Sequence, residues 1–559
     1  LQLNYNYTVK DFLNLSGLVG GNIRSFSYNS NYTSTDYLNV PEVYTFSNSK
    51  NPLVASSFRS DMRVLSAYFS LDASLGKYAT ISATGRVDKS SALPKGHDSY
   101  FYPSVSVASV ISDYIKLPDV ISFLKVRGSF ATVHGDATSA EIGTTPFLGT
   151  SLYDYPLGYG DNYLSPYGGP DYSLQGVYST PKTYNNQTAA YYTSNLYDPN
   201  IKTFNRVNYE EGVDIKFLKN RLGFSATAFQ YIDGPQILSN PISTATGYSY
   251  YILNALKTKK TGYELSLQGT PIASKSGITW EVLVNWSTYK ETYDELPPGQ
   301  DVYQTFFQKG DRVDAFYSSA FLRSPDGQII HDGGYPLSNP VSSQFLGYLY
   351  PDYTWSIYNK VSWKNLSLGI QFDGSVGGVT SDYMHNKTMR GGRNIETVEG
   401  AFGIAREDDN AHAGDTSANP FPGSYIGQGV MVTNGVPIQF DNYGNITNYK
   451  DLQFAPNDVP NHVQAYASSF YGVDEGNLMS KTFAKLREVT ITYDFPQKWL
   501  SSTFINKLTV SLIGRNLVYF YGDQRFKDVD LDQYNFASGS TELQSPTTRR
   551  YGININVVF

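Results

Sequence analysis

The chain closes with Tyr551-Gly552-Ile553-Asn554-Ile555-Asn556-Val557-Val558-Phe559, and the spacing of apolar residues in this stretch indicates the fold. Side chains alternate between the two faces of an extended strand. One face therefore carries the aromatic and aliphatic residues, and the other carries mainly glycine and asparagine. A strand with lipid on one side and water on the other needs this arrangement. The pattern also fits an edge strand of a soluble β-sandwich, so the remaining chain must distinguish the two.

The composition disfavours a helical protein. Hydrophobic residues make up 40% and charged residues 17% of the 559 residues, and the chain contains 48 Tyr, 48 Gly and 27 Pro. No run approaches the roughly 18 consecutive apolar residues that a membrane helix needs, so a membrane protein with this sequence would be a barrel. The absence of cysteine excludes a disulfide scaffold, thiolate zinc sites and cysteine nucleophiles. The net charge of -7, without a basic patch, argues against nucleic acid as a partner.

The start of the sequence shows no secretory signal. Leu1 is followed by Gln-Leu-Asn-Tyr-Asn-Tyr, which already alternates and lacks a charged start, an apolar core and a cleavage site. We expect that a signal has been removed or that the chain begins within a longer protein. The start in mid-pattern favours the second expectation.

Alternating segments recur along the whole chain. They cover residues 1–9, 12–24, 65–75, 79–87, 99–111, 123–133, 213–217, 222–228, 263–269, 280–286, 355–363, 366–372, 486–495, 508–517 and 548–559. We predict roughly sixteen strands of about ten residues, the length that a tilted strand needs to cross an outer membrane. Soluble sandwiches use shorter strands.

Charged residues inside these segments, or directly after them, fall on the polar phase of the alternation. They are Asp72, Arg86, Asp88, Lys125, Arg127, Asp214, Lys216, Glu264, Glu281, Asp373, Glu488, Asp494 and Arg515. A charge on the lipid-facing phase at mid-membrane would cost about 2–4 kcal/mol. This phasing favours a membrane barrel over a soluble sandwich.

The connections alternate between tight turns and long segments, as periplasmic turns and external loops do in outer-membrane barrels. We therefore predict an all-β fold, a transmembrane antiparallel β-barrel that forms a single domain over residues 1–559. Phe559 is expected at the periplasmic rim. The predicted external loops cover about 25–59, 134–205, 233–257, 291–310, 377–480 and 518–547.

Several motifs resemble one family. The segment from Phe483 to Pro496, Phe-Ala-Lys-Leu-Arg-Glu-Val-Thr-Ile-Thr-Tyr-Asp-Phe-Pro, resembles the penultimate barrel segment of SusC/RagA TonB-dependent outer-membrane transporters. Ile513-Gly514-Arg515-Asn516-Leu517 and the terminal strand are similar to the C-terminus of that family. Gly85-Arg86-Val87-Asp88 and Leu124-Lys125-Val126-Arg127-Gly128-Ser129-Phe130 resemble its mid-barrel block. The matches follow one another in order over most of the chain.

The resemblance implies the C-terminal part of a barrel of 22 strands, without the plug and roughly the first six strands. An open sheet would present unpaired backbone groups to lipid, so we expect a companion segment to close it. The family is typical of Bacteroidota and imports oligomeric nutrients, glycans or peptides. Its partners are a SusD-like surface lipoprotein, the TonB-ExbB-ExbD complex, which acts through the plug, and the lipid bilayer. No bond is broken in that cycle, so the resemblance implies a transporter and not an enzyme.

The candidate binding residues are aromatic. Eleven tyrosines lie between Ser151 and Asn200 among Gly, Pro and Asn. Rigid amphipathic rings of this kind suit a substrate platform or a partner interface, although they could equally pack the loop itself. The candidate contacts with substrate or partner are Tyr153, Tyr155, Tyr159, Tyr163, Tyr167 and Tyr172.

No catalytic motif emerges, and the six histidines lack metal-ligand spacing. Asp528, Asp530 and Asp532 stand two residues apart, as carboxylates do in calcium loops, and form a candidate calcium site. The glycine and distal glutamate of an EF-hand are missing from this stretch, and no other cofactor is predicted.

Two other functions remain open. The first is a passive porin-like channel of about sixteen strands, for which the present length would suffice. The second is a secreted β-rich protein that binds or processes carbohydrate. A plug sequence upstream of Leu1 would eliminate the channel, and solubility without detergent would support the secreted protein.

Overall fold

A computed structural model describes residues 1–9, 12–35, 37–91, 93–135, 178–179, 183–184, 187–188, 190–192, 194–304, 306–523, 531 and 548–559. Fifteen strands form one antiparallel sheet and follow one another in chain order. They are β1 (Gln2–Val9), β2 (Leu13–Ser34), β3 (Val54–Leu75), β4 (Ala79–Ser90), β5 (Ser99–Val110), β6 (Ile121–Gly135), β7 (Phe204–Phe217), β8 (Leu222–Asp233), β9 (Lys257–Ala273), β10 (Ile278–Glu295), β11 (Tyr353–Trp363), β12 (Leu366–Val376), β13 (Phe483–Asp494), β14 (Lys507–Tyr521) and β15 (Arg550–Val558). Each overlaps one of the segments found by alternation, so the predicted antiparallel β fold is confirmed.

Shorter elements occupy the connections. The α-helices are α1 (Tyr383–Arg390), α2 (Gly400–Ala411), α3 (Val463–Phe470) and α4 (Gln497–Leu500). The 3-10 helices include Phe46–Asn48, Ile111–Asp113, Thr244–Thr246, Ile395–Val398, Tyr449–Asp451 and Asp474–Asn477. The short strands include Tyr178–Ser179, Thr183–Tyr184, Gln187–Thr188, Tyr191–Tyr192, Asn195–Tyr197, Gln236–Pro241, Tyr250–Ala255, Ala315–Ser318, Ile330–Asp332, Tyr335–Pro336, Gln344–Tyr348, Val379–Ser381, Val430–Val432, Phe454–Pro456 and Leu478–Ser480. Among the described residues, no helix has the length and hydropathy that a membrane-crossing helix requires.

The chain divides into two compact units, whereas the sequence analysis treated it as a single domain. Unit 1 contains Leu1–Asn220, Ser225–Tyr263 and Lys290–Asp311. Unit 2 contains Arg221–Phe224, Glu264–Tyr289 and Arg312–Phe559. The single domain over residues 1–559 stays a prediction.

Strands β2 and β3 extend beyond the segments that alternation predicted. Residues 25–34 and 54–59 were assigned to an external loop, but they lie in these two strands, whose ladder runs on until Ser34 pairs with Val54. Smaller overlaps occur where other predicted loops begin or end. Backbone pairing continues through residues 25–34 and 54–59 without apolar alternation. The strands predicted from alternation are therefore shorter than the strands of the structure.

In unit 1 the sheet has an apolar face and a polar face. Directly opposed residues of an antiparallel pair project to the same side. Ile81 lies opposite Val107, and Val87 lies opposite Phe101, while the intervening Arg86 lies opposite Tyr102. The apolar side chains are exposed, and those more than a third exposed include Val19, Ile23, Leu65, Phe69, Ile81, Val87, Phe101, Val105, Val107 and Val126.

Unit 2 repeats the division with an apolar row across five strands. Val361 pairs with Leu368, Leu368 with Ile491, Ile491 with Leu512, and Leu512 with Ile553. These side chains are 42%, 38%, 44%, 51% and 69% exposed in the same order. A water-soluble monomer rarely leaves a continuous apolar surface of this kind uncovered. The row therefore favours lipid contact over burial between two stacked sheets.

Unit 2 also contains a folded segment, of which residues 377–480 were predicted to be an external loop. We call residues 312–480, apart from β11 and β12, the folded loop segment. It includes α1, α2 and α3, and buried Leu322, Ile330, Val430, Ile446 and Leu452 form its core. These helices have 8 to 12 residues each. Helices this short depend on tertiary burial more than on intrinsic propensity, so they leave a weak sequence signal.

Candidate functional site

The polar face of the sheet is the candidate functional site, because ion pairs and hydrogen bonds organise it. In unit 1, Arg127 projects from β6 and reaches two carboxylates. Its guanidinium lies 2.8 Å from Glu210 and 3.8 Å from Asp214, and it donates a 2.6 Å hydrogen bond to the Thr227 hydroxyl. Asp214 also accepts a 2.6 Å hydrogen bond from Ser225. Arg127 and Asp214, which were both predicted on the polar phase, thus belong to one network.

A second network of unit 1 lies where β8 ends and β9 begins. Arg206 donates to both carboxylate oxygens of Asp233, with one nitrogen-to-oxygen distance of 2.7 Å. The Asp233 side chain is only 8% exposed. The guanidinium carbon of Arg206 lies 5.8 Å from the centre of the Tyr231 ring. Nearby, Lys260 pairs with Glu291 at 3.1 Å. Two-point contacts of this kind fix the guanidinium plane.

In unit 2, two strongly buried charges, Asp314 and Lys481, lie outside the strands of the sheet. Arg312 makes a two-point contact with Asp314 at 2.8 and 2.7 Å, and its guanidinium lies 3.9 Å from the centre of the Tyr348 ring. The Asp314 side chain is only 1% exposed. Lys481 is equally enclosed and donates a 3.1 Å hydrogen bond to the Leu349 carbonyl. Burial lowers the pKa of Lys481 to about 8, and the charge of Asp314 opposes this shift.

Strands β12 to β14 of unit 2 carry further pairs on their polar face. Arg487 lies 2.6 Å from Asp373 and donates a 3.1 Å hydrogen bond to the Asn516 side chain. Arg515 lies 2.7 Å from Glu488. Asp373, Glu488 and Arg515 were placed on the polar phase by sequence, and the structure joins each to an opposite charge. Each of these charges is paired with an opposite charge of the sheet. Such pairs are more typical of a water-lined protein surface than of a catalytic centre.

The specific residues proposed as sites from sequence lie outside the described residues. This applies to the candidate contacts Tyr153, Tyr155, Tyr159, Tyr163, Tyr167 and Tyr172, and to the candidate calcium ligands Asp528, Asp530 and Asp532. Within the described part of the chain, no group of three or more His, Asp or Glu side chains is placed to hold a metal ion.

The pairs Arg206–Asp233 and Arg312–Asp314 were not predicted from the sequence. Asp233 begins a predicted loop, and Arg312 and Asp314 lie between two predicted strands. No periodicity marks such positions. The signal that could have found the second pair is the spacing of two residues between opposite charges, which is weak because surface pairs share it.

Comparison with known proteins gives TonB-dependent receptors as curated relatives. No protein-family model matches the chain. The chain is similar to TonB-dependent receptor P3 of Formosa agariphila, with 21% identity over 361 residues, 59% of this chain and 33% of that receptor. It is also similar to TonB-dependent receptor P39 of the same organism, with 22% identity, 100% of this chain and 52% of that receptor. The chain therefore spans about a third to a half of the curated relatives it matches.

Solved structures show the same fold. The RagAB peptide transporter covers 100% of this chain and aligns with a TM-score of 0.67 at 15% identity over 54% of its own length. The RagAB peptide importer in its closed-closed state aligns with a TM-score of 0.68 at 15% identity over 55% of its own length. All these names describe receptors or transporters. The predicted resemblance to SusC/RagA-like TonB-dependent transporters is confirmed.

Proposed function

We propose that this chain is the barrel portion of a TonB-dependent outer-membrane transporter, which imports oligomeric nutrients with a SusD-like surface lipoprotein. The observation that carries the proposal is the two-faced sheet. In each unit, exposed aliphatic and aromatic side chains share one face, and the ion pairs occupy the other. Lipid on the first face and water on the second satisfy both sets of side chains.

The connections support an orientation. Short turns join β3 to β4, β7 to β8, β9 to β10 and β11 to β12, while the intervening connections include the folded loop segment. Outer-membrane barrels place short turns in the periplasm and long loops outside. We therefore assign the long connections to the cell exterior and Phe559 to the periplasmic rim. Loop aromatics, including the six candidate tyrosines, would meet cargo or the lipoprotein there, and the three aspartates stay a candidate calcium site.

The transport cycle involves no covalent chemistry in this proposal. Cargo would be held between the transporter and the lipoprotein, and the TonB-ExbB-ExbD complex would act on a plug segment to release it inward. Peptides are one cargo class, because the similar RagAB structures are named as a peptide transporter and importer. Oligosaccharides are the other class that the resemblance implies. The paired charges of the polar face would line the passage.

The proposal is tested by deleting the gene in its native host and restoring it as the full-length coding sequence. We expect deletion to abolish uptake of at least one class in a panel of fluorescent oligosaccharides and peptides. Restoration should recover uptake, and a protonophore should abolish it again. An affinity tag on the transporter should retain a lipoprotein during purification.

Two outcomes would contradict the proposal. Uptake that persists in the presence of the protonophore would identify a passive channel. A deletion strain with unchanged uptake of every oligomer in the panel would show that the protein is not an importer of these cargoes.

A further inference from the structure

A small cavity opens on the polar face of unit 1, beside the middle of β2 and close to the C-terminal ends of β4 and β6. Its volume is about 160 Å³, and its lining includes Asn22, Arg24, Arg86, Asp88, Tyr100 and His134. The strand register explains their proximity. Asn22 pairs with a β3 residue that also pairs with Asp88, and Asp88 lies opposite Tyr100. The cavity is therefore built by adjacent strands of one sheet.

Asp88, the one carboxylate among the described residues of the lining, is already neutralised. The Arg86 guanidinium donates a 2.7 Å hydrogen bond to one oxygen of Asp88, and the Tyr102 hydroxyl donates a 2.8 Å hydrogen bond to the other. A further guanidinium nitrogen of Arg86 donates to Ser66 at 2.7 Å. Asp88 thus satisfies Arg86 and leaves no negative charge for a second cation.

Arg24 is that second cation. Within the described part of the chain, no side chain forms an ion pair or a hydrogen bond with its guanidinium. The lining therefore has one positive charge that its own carboxylate does not balance. A guanidinium presents paired donors that match the two oxygens of a carboxylate. Arg24 is also exposed, so an anionic group from outside the chain can reach its guanidinium.

Aromatic rings define the rest of the cavity. Tyr102 and His134 stack with ring centres 5.6 Å apart, and Tyr100 lies 5.3 Å from Tyr102 and 5.8 Å from His134. A 2.9 Å hydrogen bond between His134 and the Thr203 hydroxyl holds the imidazole. Rings of this kind offer apolar surface beside polar edges, which suits the mixed surface of a sugar.

The backbone around the cavity favours a sugar over a peptide. β4 is paired on both sides, with β3 and with β5, so its N–H and C=O groups are engaged in ladders. An extended peptide gains affinity by adding to a free strand edge, and this position offers none. Recognition here must come from side chains alone.

We propose that this cavity binds a carboxylate of an acidic oligosaccharide, with Arg24 as its partner and the Tyr100, Tyr102 and His134 rings against the adjoining sugar. This proposal rests on the proposed function, because it specifies the class of cargo that would contact the polar face of the same transporter. Asn22 lies beside Arg24 and contributes an amide to the rim of the cavity.

The test is calorimetric titration of the purified full-length transporter in detergent with a hexamer of galacturonic acid and with its methyl ester. Arg24→Gln should weaken binding of the acid hexamer about tenfold or more, because a charge-assisted contact is lost. Asn22→Asp, which keeps Arg24 but adds a repelling charge, should also weaken it. The ester should bind the unmodified transporter weakly and should be indifferent to Arg24→Gln.

Arg221→Gln is the matched control, since Arg221 donates to the Thr270 and Pro271 carbonyls beside a short turn of unit 2. It should bind the acid hexamer as the unmodified protein does. The proposal is overturned if the acid hexamer does not bind, if Arg24→Gln binds it equally well, or if a hexaglutamate peptide binds in its place with the same dependence on Arg24. Uptake of neutral oligomers in the deletion and restoration experiment, without binding of the acid hexamer, would defeat this inference and leave the proposed function standing.

Discussion

Replacing Ile491 with lysine is expected to prevent stable assembly of the protein in a membrane. Ile491 lies at the middle of the apolar row of unit 2, where it pairs with Leu368 on one side and Leu512 on the other. A lysine on the lipid face at mid-membrane costs about 2–4 kcal/mol. That loss is a large fraction of the stability of an ordinary domain. The measurement is the fraction of full-length protein that migrates as the folded, heat-modifiable form in gels of outer membranes.

The neighbouring position supplies the control. Thr490 lies on the polar face, opposite Gly369 and Ile513, and its hydroxyl donates a 2.9 Å hydrogen bond to Glu488. Thr490→Lys introduces the same side chain one residue away, beside a carboxylate and on the face that we assign to water. It should assemble nearly as well as the unmodified protein. Equal assembly of the two variants would contradict the assignment of the faces.

Replacing Gly423 with alanine is expected to unfold part of the folded loop segment and to leave the sheet intact. Gly423 has a φ of +99°, and a Cβ there would lie 2.1 Å from the backbone of Asn461 and of His462. The backbone of Asn461 also bridges to Tyr425, whose ring stacks on Phe402. The overlap and the unfavourable φ together should cost about 2–5 kcal/mol. Limited proteolysis of intact cells should cut this segment much faster, while heat modifiability is unchanged.

Gly435→Ala separates the effect of the unfavourable φ from the effect of the steric overlap. Gly435 has a φ of +69°, but a Cβ there would have no heavy atom within 4 Å. This variant should lose only the conformational contribution of the positive φ, about 1–2 kcal/mol. Equal protease resistance of the two alanine variants would show that the contact between Gly423 and the Asn461 backbone does not hold the segment together.

The strands could be predicted because their two faces differ in solvent. Residues such as Leu65, Ile81 and Ile555 are 44%, 37% and 62% exposed on the face predicted for lipid, while Val284 is half-buried. The C-terminal part of β2 and the N-terminal part of β3, which pair with each other, could not be predicted. Residues 25–34 are rich in serine and asparagine. If both faces of that stretch meet water, no alternation is required, yet the backbone still pairs.

The candidate site was predictable in kind but not in detail. Alternation placed Asp88 and Arg127 on the wet face, but it could not show which cation meets which carboxylate. Those pairings depend on register across strands, as in the contact of Arg127 with Glu210, 83 residues along the chain. The helices were missed for a related reason. The Asp382 carboxylate caps α1 by accepting from the His385 amide at 3.0 Å, but burial against distant segments stabilises a helix of this length.

The central claim is that one face of the sheet contacts lipid and the other contacts water. The 559 residues contain no cysteine, so a single introduced cysteine is unique within them and can carry a spin label. The most direct measurement is label accessibility at positions 553 to 556 of the full-length protein in a bilayer, probed with oxygen and with a water-soluble nickel complex. We expect oxygen to reach labels at Ile553 and Ile555, and nickel to reach labels at Asn554 and Asn556. Accessibility without this period of two, or with the two phases exchanged, would contradict the account.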